Sequence, residues 1–228
     1  GRAGFNRIPL HLETFADLDT PLSVYLKLAN RPYTYLLESV VGGERFGRYS
    51  YIGLAAERRI EVRGYECVEI ENDREVARAC ADDPLVFVSD YLSRFRTAED
   101  PRLPRFCGGL VGYFGYDTVR YIERRLAGTR KPDPLDVPDI LLLVSEEIAI
   151  VDNLSGKLSL VVYAEPGQAE AYARARARLA ELLSKLRAPV AIPEDTRGVS
   201  EAAVSGFGEA AYHAAVERAK RYIYEGDV

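Results

Sequence analysis

Five side chains able to hold a small zwitterion fall within residues 36–53, LLESVVGGERFGRYSYIG: Glu38, Ser39, Arg48, Tyr49 and Ser50. A free amino acid presents an ammonium, which wants a carboxylate, hydroxyl or carbonyl. Its carboxylate wants arginine, hydroxyl or backbone N–H. The stretch supplies each of these types on two neighbouring strand edges joined through Gly42-Gly43. Residue types alone leave two readings open, an amino-acid site and a polar rim of an ordinary hairpin.

Other motifs carry less. The glycines at 108, 109, 112 and 115 have the spacing G-G-x-x-G-x-x-G. A dinucleotide fingerprint needs G-x-G-x-x-G opening a helix inside a βαβ unit, so close backbone packing in a bent strand is the expectation. His11 and His213 lack cysteine or histidine partners at ligand spacing, and a metal site is unsupported. No G-x-S-x-G nucleophile turn occurs. Glu146-Glu147 are adjacent strand residues that point to opposite faces and read as a solvated edge.

The elements that must position these residues follow from pattern. Residues 7–15, RIPLHLETF, alternate as a strand, and Thr20-Pro21 suit the N-cap and first position of a helix. Strands are expected at 33–39 and 48–54, and a hairpin around Gly64 at 58–72. A second helix is expected at 83–95, capped by Asp83, with Leu85, Val88, Leu92 and Phe95 on one face. Residues 108–126 read as a glycine-rich strand leading to a short helix capped by Asp117. Residues 139–164 read as two long strands around Asn-Leu-Ser-Gly. A helix over 168–188 carries the stripe Tyr172, Leu179, Leu182, Leu183 and Leu186. Another, over 209–225, puts Tyr212, Ala215, Val216, Ala219, Tyr222 and Ile223 on one face, with Gly226 closing it. The sum is α+β, antiparallel sheets in a sandwich-like arrangement flanked by helices.

Composition sets the bounds. The 228 residues are 47% hydrophobic, enough for a core, and the net charge of −5 argues against a nucleic-acid surface. There is no run of 18 apolar residues and no basic-then-apolar opening, so neither a span nor a signal peptide is expected. Cys67, Cys80 and Cys107 lack metal-type spacing and read as reduced thiols of a cytoplasmic protein. Met and Trp are both absent, which fits a stretch lying between methionines of a longer protein.

Five stretches resemble the anthranilate synthase component I family in family order: RIPLHLETFADLDTPLSVYLKLA, YLLESVVGGERFGRYSYIG, GGLVGYFGYDTVRYIE, PDILLLVSEEIAIVDNLSGKLSLVVYA and YIYEGDV. Phe46 departs from a position where that family commonly has Trp. The resemblance implies the chorismate-using subunit of the first committed step of tryptophan biosynthesis. It implies a feedback site for L-tryptophan at Leu37, Glu38 and Ser39, Ser39 foremost, with Arg48, Tyr49 and Ser50 from the same block. It also implies a glutamine amidotransferase partner in a hetero-oligomer, and Mg²⁺ held by a C-terminal catalytic domain. The expected organisation is a regulatory domain over 1–190, a linker over 191–207 and the first helix of the catalytic domain over 208–228. This segment is expected to hold no catalytic or metal residue and to be inactive alone. Aminodeoxychorismate synthase component I and a stand-alone amino-acid-binding module are the alternatives.

Overall fold

The computed structural model describes residues 4–38, 47–129, 133, 135–191 and 202–227. Contacts divide the chain into two compact units, Gly1–Ile192 and Pro193–Val228. The first unit is α+β, with two five-stranded sheets in which every paired neighbour is antiparallel.

The first sheet has the order β1 (Ile8–Phe15), β10 (Lys157–Ala164), β9 (Glu147–Asp152), β3 (Tyr49–Gly53) and β2 (Tyr35–Leu37). One face is backed by α1 (Pro21–Leu28) and α4 (Ala171–Leu186). Val24, Ile52, Leu158, Leu160 and Leu182 are sealed between these layers. Full burial of each such side chain contributes about 1.5–3 kcal/mol relative to exposure. Thr20 caps α1 as expected: its hydroxyl accepts from the Ser23 backbone N–H, and the Ser23 hydroxyl accepts from that of Thr20.

The second sheet has the order β6 (Arg74–Cys80), β5 (Glu66–Glu71), β4 (Arg58–Arg63), β8 (Ile140–Ser145) and β7 (Gly109–Phe114). Helix α2 (Pro84–Ser93) covers Ile60, Val62, Cys67, Ile140 and Leu142. Asp83 caps that helix by accepting from the Leu85 N–H at 2.8 Å. The Gly64 turn joins β4 to β5 as the pattern predicts. Close packing also explains the glycine-rich strand, since a Cβ on Gly112 would fall 1.9 Å from the Leu141 carbonyl oxygen.

Several expectations need correction. Residues 139–164 hold three strands rather than two. The chain leaves one sheet at Ser145 and enters the other at Glu147. β6 has no counterpart among the expected strands: it is an edge strand with every residue exposed, so burial prints no alternation on it. Asp117 does not cap a helix. Tyr116–Thr118 form a 3-10 turn, α3 (Val119–Ile122) follows, and the Asp117 carboxylate instead accepts from Arg120 Nε at 3.0 Å. In α2 the buried face is Pro84, Val88 and Tyr91, leaving Leu92 exposed. In α4 Tyr172 lies off the stripe, which is Ala175, Leu179, Leu182 and Leu186. The tighter 4-3-4 spacing follows one helix face.

In the second unit, α5 (Glu209–Glu225) ends at Gly226, whose φ of 81° is the left-handed closure expected of it.

Candidate functional site

Strand register sorts the candidate residues. Leu37 pairs with Tyr51 and Tyr35 with Gly53 on the β2–β3 ladder. Opposed residues of an antiparallel pair share a face, so Tyr35, Leu37, Tyr49 and Tyr51 line the side of the first sheet away from α1 and α4. Gly53 leaves room for the Tyr35 ring, because a Cβ there would lie 1.9 Å from Cε1 of that tyrosine. Phe106 meets the Tyr51 ring edge-on at 5.0 Å between centroids, and Tyr49 lies 6.1 Å from Tyr51. Burial raises the pKa of the Tyr51 hydroxyl. Leu37 is 46% exposed beside this aromatic strip, and Glu38 follows it, also exposed. Ser39, the foremost candidate, lies outside the described residues.

Ser50 goes the other way. It pairs with Val151, which faces the helix-backed core, and it is fully buried. Its hydroxyl accepts from Asn153 Nδ2 at 3.0 Å. Among the described residues, then, Leu37 and Tyr49 share a face that Ser50 does not. The reason is the two-residue period of a strand.

Arg48 is engaged from the same turn. Its Nη2 lies 2.8 Å from Asp152 Oδ2 and its Nε 3.1 Å from Oδ1, while its guanidinium lies 4.9 Å from the centre of the Tyr49 ring. The bond from Arg48 leads the causes that hold the Asp152 carboxyl down at about 2, with help from Ser155 and Leu154 of the turn. Asn153 was legible in the sequence only as the start of a turn, and Asp152 only as the end of the strand before it. The signal available was their type, since Asp and Asn hydrogen-bond backbone groups two or three residues on. That they also grip β3 depends on the β3–β9 pairing.

Glu146, at the break between β8 and β9, is not a solvated edge. It accepts from Arg7 Nε at 2.7 Å and also receives Arg58, while Glu165 lies 2.6 Å from Arg7 Nη2 and 3.0 Å from Arg58 Nη2. The Phe95 ring lies 5.0 Å from the Arg7 guanidinium carbon and 5.7 Å from that of Arg58. Glu147 points to the opposite side and takes Arg178 at 2.7 Å. The expected divergence of the two carboxylates is therefore right, but each ends on arginine.

A cavity of about 640 Å³ opens beside this cluster, lined in part by Phe95, Cys107, Leu110, Ser145 and Tyr163. Two of its polar groups pair with each other, Cys107 Sγ lying 3.2 Å from the Tyr163 hydroxyl, and Ser145 Oγ lies 2.7 Å from the hydroxyl of Tyr35 outside the lining. Desolvation pushes the Tyr163 hydroxyl far up and that of Tyr35 up to about 12. Among the described residues no group of three or more His, Cys, Asp or Glu side chains is arranged to hold a metal ion, and no helix is long and apolar enough to cross a membrane. All three cysteines are free thiols.

Two antiparallel sheets, each backed by helices and joined through Glu146, define the class of fold. The family described as chorismate binding enzyme matches residues 34–228, and the chain belongs to that family. It is 54% identical over 227 residues to anthranilate synthase component 1 of Neisseria meningitidis serogroup B, covering 98% of this chain and 46% of the relative. It is 50% identical over 230 residues to anthranilate synthase component 1 of Pseudomonas aeruginosa, with the same coverage of 98% and 46%. The fold is shared with the crystal structure of anthranilate synthase component I from Streptococcus pneumoniae TIGR4, at a TM-score of 0.55 and 22% identity over 94% of this chain and 46% of that one. The chain thus spans about half the length of the curated relatives it matches.

Proposed function

We propose that this chain is the regulatory half of the chorismate-using subunit of an anthranilate synthase. The observation that carries the reading is the 54% identity, along 98% of this chain, to a relative named anthranilate synthase component 1. In the whole enzyme chorismate accepts ammonia as its ring hydroxyl leaves as water, then loses its enol-pyruvyl group as pyruvate and aromatises to anthranilate. A glutamine amidotransferase subunit supplies the ammonia, within a cytoplasmic hetero-oligomer. Mg²⁺ belongs to the catalytic domain, in the part of the relatives that this chain does not match; among the described residues no group of three or more His, Cys, Asp or Glu side chains is arranged to hold it. Residues 1–190 form the regulatory domain, 191–207 a linker, and 208–228 the first helix of the catalytic domain.

L-Tryptophan is the proposed inhibitor. Leu37, Tyr49 and Tyr51 offer an apolar and aromatic strip suited to an indole ring, Glu38 offers a carboxylate at its end, and Arg48, held on Asp152, packs beside Tyr49. Ser39 follows directly in sequence and supplies a hydroxyl. Ser50 supports the strand from the far face. Feedback requires that the inhibitor favour one conformation over another.

The test is Ser39→Ala in the full-length enzyme. Losing a hydrogen bond to the ligand costs on the order of 1–3 kcal/mol, so tryptophan at half-inhibition rises about 5- to 150-fold. Activity without tryptophan stays near that of the parent. Coincident inhibition curves, with matching thermal midpoints, would leave Ser39 on a polar hairpin rim.

A further inference from the structure

We propose that Asn153 is a positioning residue for the inhibitor site, holding the start of β3 in place without touching the ligand. The inference rests on the reading of a tryptophan site beside Leu37 and Tyr49.

Three donor contacts from this one residue reach consecutive parts of β3 and its approach. The Asn153 backbone N–H donates to the Arg48 carbonyl at 2.7 Å. Its Nδ2 donates to the Gly47 carbonyl at 3.2 Å and to Ser50 Oγ at 3.0 Å. The neighbouring Asp152 holds the Arg48 guanidinium and, through Oδ1, accepts from the Leu154 N–H at 3.1 Å. The turn is therefore fixed by its own backbone bonds and passes that order on to residues 47–50.

Tyr49 is the residue this arrangement aims. It stands between Arg48 and Ser50, both held from the turn, and strand alternation sends its ring to the face of Leu37 and Tyr51. Deleting the Asn153 amide removes two of the three contacts and leaves the fully buried Ser50 hydroxyl without that donor. The start of β3 then loosens, and with it the placement of Tyr49 and Arg48 against Leu37. A site 1 Å too loose loses affinity while keeping every contact residue.

The experiment uses the full-length enzyme with its amidotransferase partner, and L-tryptophan as the probe. Asn153→Ala should raise tryptophan at half-inhibition about 3- to 10-fold, the scale of one or two net hydrogen bonds. The kcat and KM for chorismate without tryptophan should match the parent. Ser50→Ala should show a similar shift, and the double variant less than the product of the two, because both act through one bond. Asp83→Ala, which uncaps α2 on the second sheet and destabilises without touching β3, should leave half-inhibition unchanged. Should Asn153→Ala fail to fold, Asn153→Asp keeps the shape, loses the donor and carries the same expectation. A parent enzyme that tryptophan does not inhibit overturns both the reading and this proposal. An inhibited parent whose curve Asn153→Ala leaves in place, or Asp83→Ala shifts equally, overturns this proposal alone.

Discussion

The hydroxyl of Tyr35 lies 2.7 Å from Oγ of Ser145, tying β2, an edge strand of one sheet, to the end of β8 in the other. Ser145 is buried, and the Tyr35 ring occupies the space that Gly53 leaves open. The bond crosses where the chain itself crosses, one residue before Glu146.

Tyr35→Phe should therefore cost about 1 kcal/mol at neutral pH, the value of a net hydrogen bond with its buried partner left over. The alkaline side reverses the order. The folded pKa of Tyr35, about 12, lies above the ordinary 10. Its stabilising contribution is complete below pH 10 and is lost as pH rises towards 12, by up to about 2 kcal/mol. Urea midpoints of parent and variant should cross in that window. Parallel curves from pH 8 to 12 would show that burial does not hold this proton.

Removing Glu146 leaves Arg7 and Arg58 sharing Glu165 as their remaining carboxylate among the described residues. Both guanidiniums are largely covered, the Arg7 side chain being 10% exposed. Breaking a buried pair from one side typically costs 3–5 kcal/mol, and partial exposure lowers that to about 2–4. Glu146→Ala should lose this much by chemical denaturation. A change under 1 kcal/mol would mean that solvent already screens the cluster.

Acid should act through Asp152. Its carboxyl is held at about 2, below the ordinary 3.8, chiefly by Arg48. A depressed carboxylate contributes stability that is present above pH 4 and lost as pH falls through 2. Asp152→Asn keeps an oxygen for the turn N–H groups but gives up the charge. It should be less stable than the parent at pH 6, and the gap should close between pH 4 and pH 2. A gap that stays constant down to pH 2 would show that the charge of Asp152 contributes nothing.

Much of this was legible in the sequence, because it depends on neighbours along the chain. Thr20-Pro21 and Asp83-Pro84 supply a cap and a preset φ wherever they occur, and both helices start there. Period-2 alternation around Gly64 gives one hairpin in any context. The block at 36–53 likewise marked the strands that carry Leu37 and Tyr49.

Tertiary structure alone decided which sheet each strand joins. Residues 140–152 are two apolar runs parted by Ser145, Glu146 and Glu147, with no glycine, proline or asparagine there to mark a turn. Both halves are buried, and periodicity cannot report a change of partner. The division is set by pairing: β8 bonds β4 and β7, while β9 bonds β3 and β10. Glu146 stands at that division because its carboxylate needs two arginines, and only the crossing of the sheets brings Arg7 and Arg58 together there. The same holds for Ser50. Its type suited a ligand, but the register with Val151 turned it inward to Asn153.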